Sequence, residues 1–255
     1  MNTVPLVRYT VLESFRDRTY LGFLVVMAFV TAVFILLGSA PWGLQNLVVE
    51  RLGWMMIDVL LSFQTAIYAV NNLYRERDRN ILYTHLTMPI TRFEYLLGKA
   101  VGLFSVTVFL AMLGAVILLL GDRFLAQLEY FRWPILWLVF SVALKNAILL
   151  AAALFFSQLA TSSLTASLFT LGVYIIGNGA DEILRLASNR SPFIQHLLEF
   201  VYYLVPNLKI VDLEQTALYG PHVGIERVFT CLVYAFSYII IGFVLAWLLF
   251  KRKNL

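Results

Sequence analysis

The sequence predicts an all-α membrane protein with six transmembrane helices, and three observations predict it. First, 61% of the 255 residues are hydrophobic and 13% are charged, where a soluble domain carries about 25% charged residues. With a mean hydropathy of +0.82, the chain has too few polar side chains to cover a water-facing surface, which excludes soluble, disordered and nucleic-acid-binding classes. Second, the apolar residues gather into charge-bounded runs of about 20, the length a helix needs to cross the hydrocarbon core. Third, both ends are basic: Arg8, Arg16 and Arg18 precede the first run, and Lys251, Arg252 and Lys253 follow the last. Basic residues collect on the cytoplasmic side, so both ends lie inside and the number of spans is even.

Taken in order, residues 1–19 form an interfacial elbow helix. Val4, Val7, Val11 and Phe15 share one face, with Glu13, Arg16 and Asp17 turned away, the pattern of a helix lying on a leaflet. Arg8 sits on the apolar side and snorkels. Five spans follow from clear runs at 20–37, 52–70, 100–120, 133–156 and 228–250, interrupted only by Asp58 in the second and Lys145 in the fourth. The first run is too long for the apolar part of a secretory signal and is retained. A sixth run, 160–177, carries Thr161, Ser162, Ser163, Thr165, Ser167 and Thr170, hydroxyls that a helix packed against protein tolerates. Residues 192–205 are too short to cross and read as a re-entrant or interfacial helix.

The chemistry inventory is poor. His85, His196 and His222 all lie outside the spans with no helical metal pair among them, and no G-x-S-x-G occurs. A phosphate-binding loop is absent: around Gly98 and Lys99, Phe93 takes the first glycine position and Ala100 the hydroxyl position. No catalytic, cofactor-binding or metal site is expected on this chain, so any ATP and Mg²⁺ it depends on are bound by another. Cys231, the single cysteine, has no partner for an intrachain disulfide.

The most specific stretch joins the second and third spans, 71–99, and reads NNLYRERDRNILYTHLTMPITRFEYLLGK. Arg75, Glu76, Arg77, Asp78 and Arg79 offer both signs of charge beside the apolar Leu82 and Leu86, a composition suited to a polar-rimmed protein contact. A lipid-binding basic cluster would lack the acids. The stretch resembles the coupling region of type-2 ATP-binding-cassette exporter permeases: an acid closing the second helix (Glu76), an amphipathic segment, then Leu86, Pro89 and Arg92, then Gly98 and Lys99 opening the third helix. Asn80 stands where many members have glycine. The resemblance covers the whole chain, through the elbow helix, the six spans and a long outer region at 178–227, where Pro206 and Asn207 look like a turn common in such permeases. It implies a subunit of a bacterial inner membrane, in contact with membrane lipids, that forms a dimer of two identical copies and is driven by cytoplasmic ATPase subunits docking on Arg75, Glu76, Arg77, Leu82, Leu86, Pro89 and Arg92.

Polar residues at membrane depth are the remaining candidates. Asp58, Ser62 and Thr65 share a face of the second span, and Lys145 and Asn146 lie near the middle of the fourth. A charge there costs at least about 2.5–3.5 kcal/mol, so Asp58 and Lys145 are expected to pair, either to fix packing or to line a path. Gly98 and Gly102 form a small-xxx-small pair suited to helix packing. The outer region, with Asp181, Glu182 and Arg185 followed by the aromatics Phe200, Tyr202 and Tyr203, reads as a lid or as a surface anchor. A path lined by hydroxyls and aromatics fits an amphipathic or lipid-like cargo. The rival reading is a proton-coupled secondary transporter using Asp58, against which stands the lack of an internal repeat.

Overall fold

A computed structural model describes residues 3–38, 51–78, 91–121, 134–187, 192–219 and 223–252, and among these every regular element is helical. Helix α1 spans Thr3–Arg16, α2 Arg18–Gly38, α3 Gly53–Asp78, α4 Arg92–Gly121 and α5 Pro134–Leu159. They are followed by α6 (Ser163–Asn178), α7 (Ala180–Ala187), α8 (Pro192–Leu204), a 3₁₀ turn (Leu208–Ile210), α9 (Glu214–Tyr219) and α10 (Ile225–Arg252). Among the described residues four helices, α3, α4, α5 and α10, are long and apolar enough to cross a bilayer. The other two expected spans fall on the apolar helices α2 and α6, shorter over their described residues. At 16 residues, α6 is about 24 Å long.

Burial sorts the bundle. In the spans of α3 and α5, 67% of residues are buried, against 11% in α10, so α3 and α5 form the centre and α10 lies at the edge. Tyr20, Met27, Trp54, Ile57, Leu61 and Leu110 belong to the main core, which joins α2, α3, α4 and α5. Close approach at small residues seats the peripheral helices. A Cβ on Gly242 of α10 would stand 3.1 Å from the Cβ of Ala151 on α5. On α4, a Cβ on Gly98 would stand 2.7 Å from Leu6 Cδ2 and one on Gly102 would stand 2.7 Å from Thr10 Cβ, so the glycine pair is the bed on which α1 lies.

Helix α1 packs on α4 through a side other than its apolar stripe. Leu6, Thr10 and Ser14 are buried, while Val4 and Phe15 are exposed. The hydroxyls of Thr10 and Ser14 satisfy themselves on the carbonyls of Leu6 and Thr10, at 2.9 and 2.8 Å. Beside a membrane the apolar face meets lipid and the face with small residues meets protein. The same division appears in α6, where Ala166, Thr170, Tyr174 and Gly177 are buried and Leu164, Leu168 and Ile175 are exposed. This helix begins at Ser163, later than its apolar run, because Ser162 caps it by accepting the backbone N–H of Thr165 at 3.2 Å. At the loop between the second and third spans, residues 71–78 continue α3 and residues 92–99 already belong to α4. The helices thus project beyond the apolar runs and carry charged residues out of the membrane on regular backbone.

Candidate functional site

Two polar networks sit at opposite ends of the bundle. The basal one, at the end shared by α1, the C-terminal turn of α3, the first turns of α4 and the end of α10, is centred on Glu76 and Lys99. Lys99 is fully buried and Glu76 is 1% exposed. Their side chains form an ion pair, and the hydroxyl of Tyr95, one turn before Lys99, donates to the other oxygen of Glu76. Lys99 Nζ also donates to Asn72 Oδ1 at 2.9 Å and to Glu13 Oε2 of α1 at 3.4 Å. A buried charge is retained only when its partners are supplied in this way.

A second pair ties the same three elements from outside. Asp17, in the break between α1 and α2, accepts the backbone N–H of Thr19 at 2.9 Å, which caps α2, and pairs with Arg75 at 2.5 Å. Burial pushes the Asp17 carboxyl up, but the Thr19 amide and the Arg75 guanidinium outweigh it and hold the group below its ordinary value. Arg75 reaches Glu13 as well, at 3.5 Å. Arg77 donates to Gln158 Oε1 and to the Ser157 carbonyl at the end of α5, at 3.1 and 3.4 Å, and lies over the Tyr74 ring. Arg92 donates to the carbonyls of Phe250 and Lys251, at 3.1 and 3.0 Å, closing the C-terminal end of α10.

This geometry places the sequence-derived docking residues unequally. Arg75, Glu76, Arg77 and Arg92 are all engaged within the chain, and Glu76 faces inward, so its contact is with Lys99 and Tyr95. Leu82, Leu86 and Pro89 lie outside the described residues. Glu13 and Asp17, expected to turn away from the apolar face of their helix, are members of the network. Their signal was the small, hydroxyl-bearing stripe of Thr10 and Ser14, which matches the glycine pair on α4 and fixes which way α1 turns.

At the opposite end, Lys145 of α5 reaches Asp58 of α3 at 3.1 Å. It also binds Asp212 at 2.8 Å, in the stretch between the 3₁₀ turn and α9, which the sequence reading missed. Ser62 is buried one turn further along α3, against Tyr174 of α6, and Thr65 donates to Asn146 Oδ1 at 2.8 Å. Glu214 stands near this group, and burial, then the charge of Asp212, pushes its carboxyl up. Among the described residues no three His, Cys, Asp or Glu side chains are grouped to hold a metal ion.

The segment bearing Asp212 is folded into the protein. Ser141 donates to the Val211 carbonyl at 2.9 Å and accepts the Leu213 N–H at 3.1 Å, so one hydroxyl clips both sides of Asp212. The Cys231 thiol donates to the Ile210 carbonyl, and the Asn207 N–H donates to the Tyr234 hydroxyl at 2.7 Å. Pro206 and Asn207, the expected turn, are buried, and the Pro206 carbonyl would lie 2.6 Å from a Cβ on Gly177, which explains glycine at the end of α6. Lys209 binds Glu182 of α7 at 2.8 Å. A segment held by this many side-chain-to-backbone bonds is part of the wall of the bundle, whereas α8 exposes Phe193, Phe200 and Tyr203.

No curated protein matches the chain closely enough to count as a relative. A family model described as ABC-2 family transporter protein matches residues 7–255, nearly the whole chain. Both networks, the glycine bed of α1 and the apolar helices fall within the matched residues. This multi-pass chain therefore belongs to the ABC-2 family of membrane transporter proteins, the permease components of ATP-binding-cassette systems.

Proposed function

We propose that the chain is the membrane-spanning subunit of an ATP-driven exporter. It crosses the membrane six times with both termini in the cytoplasm, pairs with a second permease copy around a central path, and takes its energy from separate ATPase subunits that bind ATP and Mg²⁺. Those subunits dock on the loop containing Leu82, Leu86 and Pro89. The cargo is amphipathic or lipid-like, in keeping with a chain whose polar residues at depth are mostly hydroxyls.

The observation that supports this reading is the way the loop is rooted. Its two stems, α3 and α4, are clamped to each other by Glu76, Lys99 and Tyr95, and to α1 by Glu13 and by the Arg75–Asp17 pair. A push on the loop enters a joined unit of three helices rather than a slack hinge. In this scheme Glu76 is a positioning residue that holds the stems, and the contact with the ATPase is made by the loop itself. The Lys145 triad also bears on the rival reading, since Asp58 engaged by an ammonium is poorly placed to carry protons alone.

The test uses the full chain with its ATPase. Leu82→Asp together with Leu86→Asp should abolish co-purification of the ATPase and ATP-dependent transport while the permease remains folded. Unchanged co-purification and unchanged transport in that variant would overturn the docking assignment and favour the secondary-transporter reading.

A further inference from the structure

We infer that the chain carries a binding site for an anionic phospholipid on its basal side, with one acyl chain in a groove between α4, α5 and α10 and the phosphate at Lys251 and Arg252. The groove has a volume of about 670 Å³ and exposes no polar surface. Its shape follows from the packing. Helices α4 and α10 both lie on α5, and they meet each other near their basal ends, where the Phe93 ring stands 5.5 Å from that of Phe243 and 6.0 Å from that of Trp247. Above that contact the α5 side of the groove is lined by Leu144, Ala147, Leu150, Ala151 and Leu154. On α4 the wall runs from Phe93 to Phe104, about 16 Å of helix. That is close to half of the ~30 Å hydrocarbon core, the depth of one leaflet.

The rim supplies the charge. Lys251 and Arg252 are exposed on the last turn of α10, and Lys251 Nζ lies 5.7 Å over the ring of Trp247. An unbroken path of side chains therefore leads from the ammonium through Trp247 and Phe93 into the groove. Juxtamembrane basic residues of this kind attract anionic headgroups, and a wholly apolar slot beneath them takes the attached chain.

The inference rests on the chain spanning a membrane and on no part of the ATPase reading, so each can fail alone. The experiment is photo-crosslinking of the full chain in nanodiscs, without nucleotide or partner, using phosphatidylglycerol or phosphatidylcholine that carries a diazirine on the same acyl chain. At equal mole fraction, phosphatidylglycerol should label the walls around Val101, Phe104, Ile240 and Val244 about twenty-fivefold more than phosphatidylcholine, since each of two basic residues contributes about fivefold. Lys251→Gln with Arg252→Gln, both at the surface, should bring that ratio close to one. Ala147→Trp should suppress labelling of the walls by both lipids. Equal labelling by the two lipids, a ratio unmoved by the double variant, or disulfide cross-linking of Val101→Cys to Ile240→Cys between two chains would each overturn the assignment.

Discussion

Replacing Lys145 should be the most damaging single change at the buried triad, and the structure says by how much relative to its partners. The lysine side chain is 4% exposed, Asp58 12% and Asp212 28%. In Lys145→Met, Asp58 and Asp212 both lose their cation, a loss of about 3–5 kcal/mol for breaking one side of a buried pair. In Asp58→Asn the amide keeps the shape and Lys145 keeps Asp212 at 2.8 Å, so the cost is that of a charge-assisted hydrogen bond, about 1–3 kcal/mol. The double variant leaves only Asp212, which reaches solvent, and should resemble Asp58→Asn. A two-carboxylate site thus gives a lopsided cycle, where a simple pair would give two equally harmful single changes. The assay is the thermal unfolding midpoint of the solubilised protein, followed by fluorescence-detected size exclusion. The expected order is wild type, then Asp58→Asn and the double variant together, then Lys145→Met lowest. A double variant at or below Lys145→Met, or a Lys145→Met as well tolerated as Asp58→Asn, would refute the reasoning.

At the base, Gly102→Leu should detach α1, because even a single added carbon meets Thr10 at 2.7 Å; overpacking of this kind costs about 1–3 kcal/mol or more, whereas Gly172→Leu, with open space around it, should leave unfolding unchanged. The Cys231 thiol is buried against the Ile210 carbonyl, so its rate of maleimide labelling at fixed pH reports movement of the 206–213 segment, and Asp212→Asn should raise that rate at least severalfold. The Lys209 hydrogen bond holds the Glu182 carboxyl below its ordinary 4.5 and Glu182 raises the Lys209 ammonium above 10.5. A depressed acid stabilises above its unfolded value and loses that contribution as pH falls through its folded one; a raised amine stabilises below its unfolded value and loses it as pH rises through its folded one. Intrinsic-rate-corrected amide exchange at 207–211 should therefore be slowest between these limits and speed up in acid, and Lys209→Gln should remove the acid step.

The helices were legible because apolar length is a strong signal in a chain that must satisfy its backbone inside a bilayer. The Asp58–Lys145 contact was legible for a related reason: a charge at depth requires a partner, and the chain has few to offer. Asp212 was not, since it lies on an irregular segment 67 positions from Lys145 and its position depends on Ser141, Cys231 and Tyr234 holding the backbone around it. The elbow helix shows a different limit. Its apolar stripe, read as the side against a leaflet, said nothing of which side meets protein, because contact between helices in a membrane protein follows small size and bonding capacity more than hydrophobicity. Glu76 was recognised as special from its place in the motif. Its inward direction was hidden, because nothing in the linear order says that Lys99 and Tyr95, across a loop, share its pocket.

Helix α3 connects these observations, for it carries a member of each network. Asp58 and Glu76 lie on one unbroken helix, separated by about 27 Å at 1.5 Å per residue. Between them, Thr65 is bonded to Asn146 of α5, and Tyr74 donates to the Ala160 carbonyl just after α5, at 2.7 Å. A strut fixed at both ends and along its length transmits displacement without absorbing it, since helices bend chiefly where proline, glycine pairs or bulges interrupt them, and residues 54–78 contain neither proline nor glycine. Under the proposed function, a movement of the loop stems at Glu76 and Lys99 would be delivered to Asp58, where the neighbouring Lys145 is bonded to a second acid on the 206–213 segment. If α3 shifts relative to that segment, the ammonium can follow one carboxylate and release the other without ever being left unpaired, which lowers the barrier to opening a buried ionic contact. Asp212, clipped on both sides by Ser141, is the member whose release would free the segment. Asp58 is the member that moves with the base.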